Sequence, residues 1–317
     1  MKVLVTGANG FIGRALTETL VSTGSFQVLA LVRRTTSLPD RAEQLVADLL
    51  DDIDWVPLLA DVDVIVHLAG RAHVLNETEN DPQLIYHRIN VEATRKLAQC
   101  AAESGVKRFI FVSTIKVNGE HTNGRAPFTN DDIAKPVDPY SASKREAELV
   151  LQGIARQDGM ELVIIRPSLV YGPGVKGNFA TMLAWLARGI PLPLGAINNR
   201  RSLLALDNFC DFISLCITHP DVGGHTLLVS DGEDLSTTEL LRTLKEGMHA
   251  HTWLLPVPAR ILGVLAKLAG HKDRADRLLG NLQIDPADTF KLTGWRPSNP
   301  ARDALRETAA AYKSKLR

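Results

Sequence analysis

The chain has 317 residues, 45% of them hydrophobic, and its 36 basic side chains balance 36 acidic ones, so its formal net charge is zero. That balance excludes a global field that would attract nucleic acid or an anionic membrane, so an anionic ligand must be held by local groups. The length suits one large or two medium domains.

Cys100, Cys210 and Cys216 are odd in number and lie in apolar helical patterns without metal-ligand spacing. They read as reduced core residues, and no metal site is expected. Met1-Lys2 runs straight into a strand with no secretory signal, and every apolar run is interrupted too early to span a bilayer. A cytoplasmic protein is expected.

Lys2-Val3-Leu4-Val5-Thr6 is a β-branched run, followed by Gly7-Ala8-Asn9-Gly10-Phe11-Ile12-Gly13 and a helical stretch over 14–21. Strand, glycine turn and helix is the order that a dinucleotide pyrophosphate needs. Gly7 permits the tight turn, Gly10 lets the phosphates approach the backbone, and Gly13 lets helix and strand pack closely. The spacing departs from the commoner G-x-G-x-x-G by one residue. A second strand over 27–32 ends in Arg33-Arg34, about twenty residues past the last glycine. An acidic residue there would bind a ribose 2′-hydroxyl, whereas arginine accommodates a 2′-phosphate, so NADP(H) is favoured over NAD(H).

Asp48-Leu49 closes a third short strand within reach of an adenine. Residues 63–70 form a fourth, ending in Leu68-Ala69-Gly70, where the small residues leave room for a cofactor. A long helix over 82–104 precedes a fifth strand over 108–112, which ends in Ser113-Thr114 where an open parallel sheet places its ligands. A helix over 140–157 and a sixth strand over 162–167 complete an α/β, doubly wound parallel sheet of Rossmann type. Beyond Pro167, loops surround one helix over 179–188. A strand over 203–206 returns to the sheet, Asp207 caps a helix over 209–217, and residues 225–229 precede helices that begin at Ser236. The apolar stretch 254–269 reads as an amphipathic surface helix with Arg260 and Lys267 on its polar face. It packs on the second lobe or a partner subunit, or it associates weakly with a membrane.

Tyr140-Ser141-Ala142-Ser143-Lys144 places a phenol and an amine four residues apart, hence on one helix face. A neighbouring ammonium favours the phenolate and brings proton transfer toward neutral pH, which makes Tyr140 a candidate general acid/base.

Four ordered blocks, Thr6 through Gly13, His67-Leu68-Ala69-Gly70, Tyr140 through Lys144, and Arg166-Pro167-Ser168-Leu169-Val170-Tyr171-Gly172-Pro173-Gly174, resemble the extended short-chain dehydrogenase/reductase family over nearly the whole chain. The resemblance implies that Thr114, Tyr140 and Lys144 are catalytic, with Lys144 also on the nicotinamide ribose, and that Ser113 and Asn90 support them. It places Gly7, Asn9, Gly10, Phe11, Ile12, Gly13, Arg33, Arg34, Asp48, Leu49, Leu68, Ala69, Gly70, Arg166 and Pro167 around the cofactor. Members of this subtype bind nucleotide-diphosphate sugars in the second lobe, where Asn178 and Arg201 match diphosphate contacts, although Ser202 replaces the usual acidic residue. Arg71 and His73 lie where they could reach the sugar.

The domains expected are a dinucleotide-binding domain, 1–167 with a return segment near 203–229, and a smaller, mostly helical nucleotide-sugar lobe, 168–202 with 230–317. The partners expected are a UDP-sugar and a second copy of the chain in a homodimer. Arg33 and Arg34 tilt the expected reaction to NADPH-dependent reduction of a UDP-4-keto-6-deoxy-(N-acetyl)hexosamine at C4. The alternative is a UDP-hexose or UDP-N-acetylhexosamine 4-epimerase that retains NAD.

Overall fold

In the computed structural model, which describes residues 1–71, 81–270 and 272–316, the apolar runs become ten strands. They are β1 (Lys2–Thr6), β2 (Gln27–Val32), β3 (Ala42–Val46), β4 (Val64–His67), β5 (Arg108–Val112), β6 (Glu161–Pro167), β7 (Leu169–Tyr171), β8 (Arg201–Ala205), β9 (Thr226–Val229) and β10 (Asp234–Leu235). Seven form one parallel sheet in the order β3-β2-β1-β4-β5-β6-β9, and β10-β8-β7 form a small second sheet. Chain order reverses between β1 and β4, so a crevice opens at the carboxyl ends of those strands.

Strand residues alternate between the two faces of the large sheet, as the period of two requires. Val3, Val5, Val64, Val66, Ile110 and Val163 join one core cluster, while Leu4, Ile65, Phe109, Phe111 and Leu162 join the other. Helices α1 (Phe11–Ser22), α2 (Trp55–Leu59), α3 (Pro82–Tyr86), α4 (Ala93–Glu103) and α5 (Pro139–Asp158) cover the sheet with α7 (Leu206–Thr218). The intervening α6 (Gly177–Ala187) and, further on, α8 (Thr237–Met248) and α12 (Ala301–Ser314) build a third cluster around Tyr171, Leu186, Leu241 and Leu305 beside the small sheet. Helices α9 (Ala259–Leu268), α10 (Lys272–Leu279) and α11 (Ala287–Thr293) complete the chain.

Four expected elements shift. The strand near 203 pairs with β7 and β10 rather than rejoining the large sheet, and β9 takes the edge beside β6 with Ile164 opposite Thr226. Both runs are short and apolar, so only the packing of neighbouring elements distinguishes them. Asp48-Leu49 follows β3 instead of closing it, because the Asp48 carboxylate accepts from Leu50 N at 3.0 Å and makes a turn. Asp207 lies inside the first turn of α7, whose cap is Ala205. The helix expected over 82–104 is interrupted by a π-helical segment, His87–Glu92, between α3 and α4.

Helix α5 begins where its sequence dictates. Asp138 accepts from Ser141 N at 2.7 Å, Ser141 Oγ in turn accepts from Asp138 N, and Pro139 sits at the first helical position. Gly159 ends it with φ of 73°. Its buried face is held by Glu148, which is fully buried and accepts from Arg166 Nε at 2.9 Å, Arg166 Nη2 at 2.6 Å and Arg145 Nη1 at 3.1 Å. Arg166 Nη1 reaches Asn118 at 2.9 Å. Removing one partner leaves a buried cation uncompensated, so Glu148→Ala is expected to lower the unfolding free energy by about 3–5 kcal/mol. Urea unfolding checks this, and the double substitution Glu148→Leu with Arg166→Met should regain most of the loss. A single variant as stable as the parent would show that the pair does not hold α5.

Candidate functional site

The turn after β1 is shaped by contacts that leave no space for side chains. A Cβ on Gly13 would lie 2.2 Å from the Gly7 carbonyl oxygen, and one on Gly7, whose φ is +67°, would lie 2.9 Å from Ala69 N. The first turn of α1 has no side-chain cap and no carboxylate, so its backbone N–H groups and positive dipole end are left for an anion. These residues fit a dinucleotide pyrophosphate. Asn9 and Gly10 are exposed at the turn, and Phe11 and Ile12 are half-buried.

A clamp that the sequence did not reveal closes β1 onto β4. Thr6 Oγ1 accepts from Leu68 N at 3.2 Å and Ala69 N at 3.1 Å, so its hydrogen is directed to His67 Nδ1 at 2.9 Å. His67 therefore carries its proton on Nε2 and donates it to Thr94 Oγ1 at 3.0 Å. Burial, with a further push from Lys144, holds the imidazole down to about 3, so it stays neutral.

The opposite wall carries the residues expected to be catalytic. Thr114 is half-buried just past β5, and Tyr140 and Lys144 project from the first turns of α5. Lys144 is 5% exposed, with Nζ 4.0 Å above the Phe111 ring, and that ring stacks on His67. Burial brings its amine down to about 7, against the opposing pull of Glu148. Burial pushes the Tyr140 phenol up, with Asp138 and Tyr86 adding to the shift. The expected lowering of the phenol by Lys144 is not met in the chain by itself, because the phenol's own burial dominates. Ser113 Oγ is buried without a hydrogen-bond partner among the described residues.

Asn90, in the π-helical segment, ties the two walls together. It accepts from Arg71 N at 2.7 Å, donates to Arg71 O at 3.1 Å, and donates to Ser143 Oγ at 2.9 Å. The Arg71 guanidinium lies 5.8 Å from the Tyr86 ring centroid, and Tyr86 meets Tyr140 at 6.1 Å. Tyr86 was not singled out from the sequence. Its place directly after the apolar Leu84-Ile85 is indistinguishable from a core position.

Other candidates separate. Arg201 donates to Gly280 O at 3.2 Å; its guanidinium is lowered by burial, opposed by Glu120 and reinforced by Arg277. Lys116 Nζ bridges that Glu120 at 2.9 Å to Asp138 at 2.7 Å, so a polar path runs from Arg201 to the cap of α5. Arg277, on α10, is thus a second cation beside Arg201 that the sequence reading missed. Asn178 is exposed near the start of α6, with no contact to this path, and His73 lies outside the described residues. Arg33 and Arg34 are exposed beyond β2, and no hydrogen bond or ion pair holds either guanidinium among the described residues. The Arg166 guanidinium, expected at the cofactor, faces Glu148 and Asn118 with all three nitrogens and is held in a structural pair. Pro167 ends β6 opposite Val229, and Leu49 packs partly on the second core cluster.

The NAD dependent epimerase/dehydratase family matches residues 3–230. A UDP-glucose 4-epimerase of Vibrio cholerae is 42% identical over 98% of this chain and 95% of its own. An N-acetyl-α-D-glucosaminyl-diphospho-ditrans,octacis-undecaprenol 4-epimerase of Escherichia coli O157:H7 is 28% identical over 85% of this chain and 81% of its own. Among solved structures, UDP-glucuronic acid 4-epimerase of Bacillus cereus, in complex with UDP-glucuronic acid and NAD, superposes with a TM-score of 0.80 at 21% identity. That superposition covers 100% of both chains and establishes the fold.

The buried amine has a measurable consequence. The unfolded chain keeps Lys144 protonated to about pH 10.4, whereas the folded chain releases its proton near 7. The unfolded state then binds more protons across that window, so stability should rise with pH through it. Lys144→Met in the cofactor-free protein should be more stable than the parent at pH 7, by a few kcal/mol at most. The difference should shrink toward pH 10 in thermal melts. A variant less stable than the parent at pH 7 would overturn the burial penalty.

Proposed function

The chain belongs to the NAD dependent epimerase/dehydratase family, and from that premise we propose that it is a 4-epimerase of a UDP-hexose or UDP-N-acetylhexosamine, using bound NAD. The observation that carries the reaction type is the 42% identity to UDP-glucose 4-epimerase over nearly the full length of both chains. The wall of Thr114, Tyr140 and Lys144 supports it, because proton transfer at a sugar hydroxyl needs a donor, an acid/base and a group that poises it.

When bound, the nicotinamide supplies the oxidation and re-reduction at C4. The glycine turn and the α1 N-terminus hold the pyrophosphate, and Lys144 serves the nicotinamide ribose. Tyr140 takes the proton from the C4 hydroxyl and returns it once the other stereoisomer forms, while Thr114 steadies the same oxygen. An amine near 7 suits this, since a modest gain of negative charge beside it restores the ammonium that favours a phenolate. Arg201 and Arg277 provide positive charge for the diphosphate.

A second reading is NADPH-dependent reduction of a UDP-4-keto-6-deoxy-(N-acetyl)hexosamine. It is favoured by Arg33 and Arg34, exposed and without a hydrogen bond or ion pair among the described residues at the end of β2, where a 2′-phosphate would lie. The proposed assembly is a cofactor domain over 1–167 with a substrate lobe from the later segments, acting as a homodimer.

The epimerase should interconvert UDP-glucose and UDP-galactose, or their N-acetyl counterparts, with no net change in nicotinamide absorbance. Inert 4-hydroxy sugars together with stoichiometric NADPH oxidation by the keto sugar would install the reductase instead. In that case Arg33→Asp should weaken NADP relative to NAD. Tyr140→Phe keeps the ring and removes the proton, so turnover should fall by about 10²–10⁴-fold with cofactor affinity retained. Undiminished turnover would remove Tyr140 from the chemistry.

A further inference from the structure

Helix α9 carries an apolar face that nothing among the described residues covers. With about 100° between successive residues, its side chains fall into three arcs. Ala259 and Leu262 pack on the third core cluster. Ile261, Val264, Leu265 and Leu268 form one continuous arc and are 51%, 60%, 57% and 80% exposed. Arg260 and Lys267, both exposed, flank that arc on the side of Val264. Trp253 and Leu255, 73% and 43% exposed, lie in the segment leading into the helix. The sequence expectation that this face packs on the second lobe therefore holds only for its inner edge.

Charge indicates what covers the outer arc. No Asp or Glu occurs between Glu246 and Asp273, whereas Arg260, Lys267 and Lys272 all fall in that interval, in a chain whose total charge is zero. Arg260 and Lys267 therefore give the exposed aliphatic arc a positive rim on one side, within a stretch whose own charges are all positive and which carries a tryptophan, a pattern complementary to an anionic lipid surface. A second copy of the chain would bring the same positive rim against its own. The six exposed apolar side chains, Trp253 and Leu255 included, are also far fewer than the roughly 20–30 residues a side that a stable dimer interface uses. No helix among the described residues is long and apolar enough to cross a membrane, so contact would be confined to the interface.

We propose that α9 docks the protein on an anionic bilayer, lying in the plane of the surface with Ile261, Val264, Leu265 and Leu268 in the headgroup–acyl boundary and Arg260 and Lys267 at lipid phosphates. This inference is independent of the sugar chemistry, since α9 contributes no residue to the site.

The test is flotation of the purified full chain with vesicles of phosphatidylethanolamine and phosphatidylglycerol, against vesicles of phosphatidylcholine alone. The parent should float with the anionic vesicles and be released by high salt. Val264→Asp combined with Leu268→Asp should abolish flotation, and Lys267→Glu should weaken it about tenfold or more. Both should keep the parent's melting temperature and its turnover of soluble substrate. No flotation of the parent, or flotation unchanged in the aspartate variant, would overturn the proposal. So would a parent dimer that the aspartate variant converts to monomer in sedimentation, since the face would then be an interface between copies.

Discussion

The site depends on a carboxylate that touches no ligand. Glu148 is fully buried one turn beyond Lys144 on α5, gripped by Arg166 from β6 and by Arg145 from its own helix. A buried ion pair satisfied by this many donors tolerates little rotation of the helix that bears it, because each donor lost leaves charge unpaired in a low-dielectric interior. That restraint fixes which face of α5 meets the sheet, and with it where Tyr140 and Lys144 stand. Glu148 also opposes the loss of charge at Lys144. One side chain therefore both positions the amine and moderates its titration.

A second restraint acts across the crevice. The hydroxyl of Thr6 satisfies two backbone N–H groups of the β4 loop and donates to a neutral His67, so the loop Leu68-Ala69 is drawn against the Gly7 turn. Protonating that imidazole would put a second donor against the Thr6 hydrogen, which is why its burial as the neutral tautomer matters. His67, Phe111 and Lys144 then form one stack, so the clamp and the buried amine share a ring. Asn90 adds the remaining link by joining Arg71 to Ser143.

The proposed chemistry at C4 would ask for the same proton at the same oxygen whether the step is oxidation or reduction. The distinction between an epimerase and a reductase lies in whether the cofactor leaves between turnovers. The residues that bear on it, Arg33 and Arg34, are at the far end of the crevice from Tyr140. Relatedness to a UDP-glucose 4-epimerase weighs one way, and two exposed guanidinium groups with no partner among the described residues weigh the other.

Much of this was legible in the residues alone. Short continuous apolar runs determined the parallel strands, and the glycines of the first turn determined a tight turn with no space for side chains. These signals are local, so they survive without knowledge of neighbours. What only the tertiary structure decided is which partner each side chain meets. Arg166, read as a cofactor contact, is held by Glu148, and the run over 203–206 joins a different sheet from the one expected. Arg277 reaches the neighbourhood of Arg201 from far along the chain, and Tyr86 meets Tyr140 across α3 and α5. The ionisation of Lys144 belongs to the same class, since the sequence places an amine beside a phenol but only burial determines that it sheds its proton near neutrality. Desolvation and long-range pairing are properties of packed surroundings, and no spacing within a helix encodes them.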